Sequence, residues 1–260
     1  VIYLNDGEIA VLKADGASVF TLDGRAVRPE IKKVEFQAEA IERAGFETFM
    51  MKEIHEQPRV LRSLIAKHID SNGHAQLPGF SLADEYIKGL ARIMIVSCGT
   101  AYHAGMYGRL LFENLAHVPV ETDLASEFRY RNPMVDPGTL IIAVSQSGET
   151  ADTLASVRLA RKWGCKVLSI CNVRGSTLTR ESDAVFYTEA GPEIGVASTK
   201  AYTAQLMAFC LLTLHIARIR GTISDSATRE LARALQRIPD AVHYVLGRKD
   251  DIQKIAGKIG

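Results

Sequence analysis

Short, strongly apolar runs alternate with amphipathic stretches between about residue 80 and residue 220 of the chain. The runs are rich in β-branched residues, as buried strands are, whereas the stretches between them repeat apolar positions with helical spacing. The predicted strands cover 92–97, 118–122, 139–145, 166–171 and 184–188, and the predicted helices cover 101–117, 150–164 and 198–220. This alternation predicts an α/β fold of three αβα layers, with a parallel five-stranded sheet between two layers of helices.

The segments that flank this core have different patterns. Residues 1–35 form strand-like runs at 1–4, 8–12 and 18–22, separated by Asp-Gly steps that favour hairpins. Residues 36–79 predict two helices that meet at Pro58, because proline suits the first turn of a helix. Residues 224–260 predict further helix with a break at Pro239. The expected organisation is a β-rich segment at 1–35, a helical linker at 36–79, the α/β domain at 80–223 and a second helical linker at 224–260.

Composition and charge narrow the class of protein. The chain is 47% hydrophobic and 23% charged, and its 31 basic and 30 acidic residues leave a net charge of +1. Such a balance offers no support for a nucleic-acid or membrane surface, and the apolar stretch at 204–217 is too short and too polar for a membrane span. Its four cysteines have no C-x-x-C spacing, which favours core positions in a reducing, cytoplasmic compartment. No cofactor or metal is expected.

Small hydroxyl residues and glycine follow three of the predicted strands. The segments are 97–100 (Ser-Cys-Gly-Thr), 145–150 (Ser-Gln-Ser-Gly-Glu-Thr) and 193–200 (Glu-Ile-Gly-Val-Ala-Ser-Thr-Lys). Ligands of doubly wound sheets bind beyond the carboxyl ends of the strands, where a helix start offers unbonded N–H groups and partial positive charge. Each segment alone is weak evidence, because serine, threonine and glycine also cap helices. Three such segments at the carboxyl ends of strands in one sheet are expected to line a single cleft. The expected ligand of this cleft is a phosphate ester.

The 145–150 segment offers the most donors to a phosphate. The hydroxyls of Ser145, Ser147 and Thr150 carry no charge but can donate, and Gln146 can add an amide. Gly148 is expected to let the ligand approach the backbone closely.

Charged residues near these segments leave alternatives open. Glu149 and Asp152 stand in or before the first turn of a helix, where carboxylates compete with a bound anion. We expect Glu149 to point away from the ligand, and a catalytic or positioning role is the alternative. Lys200 either contacts the sugar phosphate or lies on the surface of the first helical turn.

The three segments together resemble a SIS (sugar isomerase) domain. More narrowly, they and residues 52–58 (Lys-Glu-Ile-His-Glu-Gln-Pro) are similar to the first SIS domain of the glutamine–fructose-6-phosphate aminotransferase family. The resemblance covers the whole chain and implies that 1–35 is the end of a glutaminase domain and that 224–260 leads toward a second SIS domain. A chain that begins with Val1 rather than Met fits a piece of a longer protein.

The resemblance also implies roles for particular residues. The implied substrate-binding positions are Thr100, Ala101, Ser145, Gln146, Ser147, Thr150, Val196 and Ser198. Ala101 stands where relatives often have serine, which removes one possible hydroxyl donor. No catalytic residue is expected, because the glutaminase cysteine is absent and the family's acid, histidine and lysine groups belong to the second SIS domain.

The function implied is therefore the binding of fructose 6-phosphate or glucosamine 6-phosphate, with little or no turnover. The parent enzyme would make glucosamine 6-phosphate from fructose 6-phosphate and glutamine, and SIS domains commonly pair as homodimers. Two alternatives remain: a stand-alone SIS sugar-phosphate module of a regulator, and a SIS-type deglycase or isomerase. Neither nucleic acid nor membrane is an expected partner.

Overall fold

The computed structural model describes residues 2–31 and 42–258. The chain divides into two compact units, residues 1–41 and 42–260. The predicted boundary between residues 35 and 36 lies outside the described residues.

The first unit contains an antiparallel sheet of three strands in the order β1-β2-β3. The strands are β1 Glu8–Lys13, β2 Gly16–Thr21 and β3 Ala26–Val27. The predicted strand at 1–4 was wrong over its described residues 2–4, because a strand needs a ladder of partners and, within the described residues, Ile2 makes a single bridge, to Ile31. The third strand is instead the short β3.

The second unit contains the α/β fold. Its strands are β4 Arg92–Ser97, β5 Val120–Leu124, β6 Thr139–Ser145, β7 Lys166–Cys171 and β8 Ala184–Tyr187. Its helices are α1 Phe49–His68, α2 Asp84–Lys88, α3 Thr100–Leu111, α4 Ala125–Phe128, α5 Ala151–Lys162, α6 Thr177–Arg180, α7 Lys200–Arg220, α8 Asp225–Leu246 and α9 Lys249–Ala256. A π-helical turn, Phe112–Ala116, continues α3. The strands pair in parallel in the order β5-β4-β6-β7-β8, which confirms the predicted five-stranded parallel sheet.

Helices cover both faces of this sheet. Successive residues of β4 point to opposite faces, so that Ile95 joins the larger hydrophobic core and Met94 the smaller one. The larger core includes the buried faces of α1, α3 and α7, and the smaller core includes that of α5. Helix α7 is long and apolar enough to pass for a membrane span, but most of it is buried in the larger core.

The strand order places a crevice between β4 and β6. From β4 the chain passes outward to β5 and then returns to the other side of β4 to form β6. The connections that leave β4 and β6 therefore diverge, and such a switch point is where open α/β sheets bind ligands.

Helix α1 runs without interruption through Pro58, so the prediction of two helices was wrong. Proline has no N–H, which leaves the carbonyl four residues earlier, that of Ile54, without its helical partner. The side-chain amide of Gln57 donates to that carbonyl at 3.0 Å. A neighbouring side chain thus replaces the hydrogen bond that Pro58 cannot make.

Helix α8 likewise passes through Pro239, where a break was predicted. The buried positions of α8 are Thr228, Ala232 and Pro239, so the proline ring lies on the stripe that faces the protein. The helix ends instead at Gly247. Burial of the proline against the protein holds a helix that local propensity would interrupt.

Candidate functional site

Two helices begin at the crevice with open N-termini. The register of β4 with β6 pairs Ser97 with Val144, so the loops 97–100 and 145–150 leave the sheet at the same level. The N-cap of α3 is Gly99, which has no side chain, and the N-cap of α5 is Thr150, whose side chain caps no N–H in the described part of the chain. First-turn N–H groups and partial positive charge of both helices are therefore available to an anion.

The hydroxyls of the 145–150 turn shape the turn itself. The N–H of Gly148 donates to Ser145 Oγ at 3.0 Å, and Ser145 Oγ lies 3.2 Å from Thr150 Oγ1. The N–H of Glu149 donates to Ser147 Oγ at 3.2 Å. A hydroxyl that accepts an N–H still has its own proton to donate. The turn is thus preorganised, and Ser147 keeps a donor for a ligand.

Gly148 is required by packing, a reason that the sequence did not indicate. Its φ is +68°, in the region that favours glycine. A Cβ at this position would lie 2.1 Å from Ser176 Oγ and 2.8 Å from Cys171 Sγ. The missing side chain therefore lets the turn pack against the loop that follows β7.

The two carboxylates near the turn have partners of their own. Glu149 Oε1 accepts the N–H of Thr177, in the first turn of α6, at 2.8 Å. Arg129 donates to Asp152 Oδ1 at 2.9 Å. Glu149 is thus engaged at the start of α6 and Asp152 with Arg129, and neither carboxylate needs to compete with an anion for the N-terminus of α5.

The third segment, 193–200, is placed at the carboxyl end of the sheet by the packing of α7 on α3. Gly108 of α3 contacts the ring of Phe209 on α7, and a Cβ there would lie 2.3 Å from it. Further along both helices, Arg220 Nε donates to the carbonyl of Ala116 at 3.0 Å. The two helices therefore run in the same direction. The start of α7 accordingly lies at the same end of the sheet as the start of α3, the end at which the strands have their carboxyl termini.

The N-terminus of α7 differs from the other two because a carboxylate of the chain already occupies it. Glu193 Oε1 accepts the N–H groups of Thr199 at 2.9 Å and Ala201 at 3.1 Å. Glu193 Oε2 accepts the hydroxyl of Ser198 at 2.9 Å. Of the three helix starts, those of α3 and α5 therefore remain open to a ligand.

The predicted site residues differ in how far they are accessible. Thr100 and Val196 are exposed, and Gln146, Ser147, Thr150 and Ser198 are half-buried. Ser145 is buried at 4% exposure, within its turn. Ala101 is 7% exposed and its methyl belongs to the larger core, so a ligand can meet only its backbone.

Lys200 occupies a position that the sequence did not predict. It is 2% exposed, and its Nζ donates to Glu56 Oε2 of α1 at 2.6 Å. Of the two alternatives left open for Lys200, the surface position is therefore wrong, and the ammonium group is engaged inside the protein. The sequence marks the acidic residues of 52–58 only through the resemblance and carries no local signal for their contacts with the third segment.

Comparison with known proteins places this arrangement in a class. The sequence profile of the SIS domain matches residues 87–215, which contain the whole parallel sheet. The chain belongs to the SIS-domain proteins.

Within that class, the relatives of the chain are glutamine–fructose-6-phosphate aminotransferases. It is 45% identical over 258 residues to that of Caldanaerobacter subterraneus subsp. tengcongensis, which covers 99% of this chain and 42% of the relative. Identity to the protein of Chlorobaculum tepidum is 45% over 260 residues, again 42% of the relative. The C-terminal domain of the glucosamine-fructose-6-phosphate aminotransferase from Francisella tularensis matches with a TM-score of 0.79 and 41% identity, over 82% of this chain and 60% of that one.

The chain is thus a member of the glutamine–fructose-6-phosphate aminotransferase family. It spans 42% of the length of these curated relatives.

Proposed function

We propose that the crevice between β4 and β6 binds the phosphate of a hexose phosphate, fructose 6-phosphate or glucosamine 6-phosphate. In this proposal the chain supplies the sugar-phosphate-binding part of an aminotransferase that makes glucosamine 6-phosphate from fructose 6-phosphate and glutamine. The proposed contacts are Thr100, Ala101, Ser145, Gln146, Ser147, Thr150, Val196 and Ser198.

The observation that carries the proposal is the pair of open helix N-termini beside a turn of preorganised hydroxyls. The N-termini of α3 and α5 face one crevice, and the N–H groups there are the kind of donor that binds phosphate in many α/β proteins. Ser147 keeps a donor directed by the turn. Neutral donors and helix dipoles stabilise a phosphate without a lysine or arginine in the turn.

The relatives favour an aminotransferase over the two alternatives. A match at 45% identity over 99% of the chain includes residues 1–35 and 52–58, which a regulator module or a simple isomerase would not require. The proposal gives no residue of this chain a role in the reaction itself. It therefore covers binding of the sugar phosphate by this chain and not its turnover.

Isothermal titration calorimetry with glucosamine 6-phosphate tests the site. Ser147→Ala and Thr150→Val each remove one hydroxyl, and each lost hydrogen bond to a charged phosphate should cost about 1.5–3 kcal/mol, roughly a tenfold or greater loss of affinity. Ser226→Ala, at an exposed position of α8, is the matched control and should bind as the wild type does. Unchanged affinity after both site changes would place the phosphate elsewhere.

We also propose a cytoplasmic homodimer. Apolar side chains on the outer side of α3, Met106 at 47% and Leu110 at 57% exposure, support a partner surface. Light scattering at tens of micromolar protein tests the homodimer, and a monomeric mass would count against it.

A further inference from the structure

One face of α1 carries charged side chains that are buried. Lys52 is 5% exposed and Glu53 is 2% exposed, and the side chain of Glu56, one turn further along, is 18% exposed. Charged groups are almost never buried unless they are paired, because removal of their hydration costs several kcal/mol. The partners of these residues therefore indicate what this face of α1 does.

The partner of Glu53 is the backbone of the 193–199 loop. Glu53 Oε1 accepts the N–H of Ile194 at 2.6 Å, and both of its carboxylate oxygens lie 3.2 Å from the N–H of Gly195. A Cβ on Gly195 would lie 2.7 Å from Glu53 Oε2 and 3.4 Å from the Cα of Met50. Glycine at 195 thus permits the close approach of α1 to the loop.

The partner of Glu56 is Lys200, at the end of the same loop. The Lys200 ammonium group donates to Glu56 at 2.6 Å, and Lys52 Nζ lies 3.8 Å from the other Glu56 oxygen. Lys52 also donates to the carbonyl of Glu42 at 2.6 Å, which ties it to the segment before α1. The ammonium groups of Lys52 and Lys200 therefore offset the buried carboxylate of Glu56.

The loop is consequently held on both sides of Val196 to Ser198. Glu53 holds residues 194 and 195 from α1, and Glu193 holds Thr199 and Ala201 from within the loop. Between these attachments Val196 is fully exposed. Val196 is thus an exposed apolar residue on a loop that is fixed on both sides, where it is available to contact a ligand.

We propose that Glu53 is a positioning residue of the sugar-phosphate site, an inference that rests on the function proposed above. Its carboxylate fixes the loop so that the backbone at Val196 meets the sugar, together with the oxygen of Ser198, which donates its proton to Glu193 and can accept a hydrogen bond from the sugar. The phosphate is held independently by the 145–150 turn and the N-termini of α3 and α5. Recognition of the sugar and recognition of the phosphate are therefore separable by mutation.

Calorimetry with two ligands tests this separation. Glu53→Ala removes the acceptors of two N–H groups, and we expect the affinity for glucosamine 6-phosphate to fall about tenfold or more. Binding of inorganic phosphate, measured in the same way, should change less than about twofold, because the described contacts of Glu53 go to residues 194 and 195 and not to the 145–150 turn. Glu53→Gln keeps one acceptor oxygen for Ile194 and should restore part of the loss.

Three further variants complete the test. Ser147→Ala should weaken both ligands, because it acts on the phosphate. Glu230→Gln removes a charge from an exposed position of α8 and should weaken neither. Gly195→Ala disturbs the same contact from the side of the loop and should reproduce the selective loss, which keeps the test valid if Glu53→Ala does not fold.

The outcomes distinguish the inference from the function on which it rests. A selective loss for the sugar phosphate in Glu53→Ala or Gly195→Ala supports the positioning role. Unchanged affinity, or an equal loss for both ligands, overturns it and leaves the phosphate site standing. A wild-type chain that binds neither ligand overturns the proposed function and this inference together.

Discussion

Gly148 illustrates at the residue scale how one position serves both the fold and the site. Its N–H donates to Ser145, its φ is positive, and its missing Cβ leaves room for Ser176. The hydroxyl turn is therefore held against the loop after β7 by a contact that no other residue type permits.

Gly148→Ala is expected to destabilise the protein by about 2 kcal/mol or more, because a methyl group would overlap Ser176 and the backbone would be strained. Gly79→Ala is the matched control, since Gly79 also has a positive φ of +77° but no described atom lies within 4 Å of its Cβ position. In urea unfolding, Gly79→Ala should lower the unfolding free energy by only about 1 kcal/mol, because backbone strain is its only cost. Equal losses at the two positions would refute the packing explanation.

At the scale of elements, α1 links the fold to the site. It is continuous for 20 residues despite Pro58, and this continuity places Lys52, Glu53 and Glu56 on one face while later residues join the larger core. Two separate helices, as the sequence predicted, would not fix that face relative to the sheet.

The hydrogen bond from Gln57 to Ile54 is expected to support this continuity. Gln57→Ala leaves the Ile54 carbonyl without a partner and should cost about 1 kcal/mol of unfolding free energy. In a Pro58→Ala background the N–H of residue 58 can bond to that carbonyl, so the same change should cost much less. A double-mutant cycle by urea unfolding measures the difference, and additive effects would show that Gln57 does not compensate for the proline.

At the scale of the whole molecule, the buried His68 and the half-buried His215 make stability depend on pH. His68 donates from Nδ1 to the carbonyl of Leu64 at 2.9 Å and stacks on Phe186, and His215 is hydrogen-bonded to the carbonyl of Ala75 at 3.2 Å. Burial lowers the pKa of both imidazoles below the ordinary value of 6.5. Both side chains are thus neutral in the folded protein at a pH where the unfolded chain already binds protons.

The direction of the pH dependence of stability follows from this difference in bound protons between the folded and unfolded states. The unfolded state binds more protons below pH 6.5, so unfolding free energy should fall as the pH is lowered from about 7.5 to about 5.5. Carboxylates with a lowered pKa, such as Asp70, act at more acidic pH and do not contribute in this window. Urea unfolding at both pH values should give a smaller fall in His68→Asn and His215→Asn. The exposed His243→Asn should keep the wild-type slope.

The local pattern of the chain was sufficient to predict the parallel sheet and the loops at its carboxyl ends. Strand and helix periodicities are properties of neighbouring residues, so β4 to β8 and α7 were predicted close to their observed bounds. The turn at 145–150 was recognised for the same reason, because its hydroxyls and glycine are adjacent in sequence.

Contacts between distant segments were decided only by the tertiary structure. The pairing of Glu53 with the backbone at 194 and 195, and of Glu56 with Lys200, joins residues more than 140 positions apart. The packing of Gly148 and the continuity of α8 through Pro239 likewise depend on what lies opposite. Burial and hydrogen bonding are satisfied by whatever segment the fold brings near, and no local pattern specifies that segment.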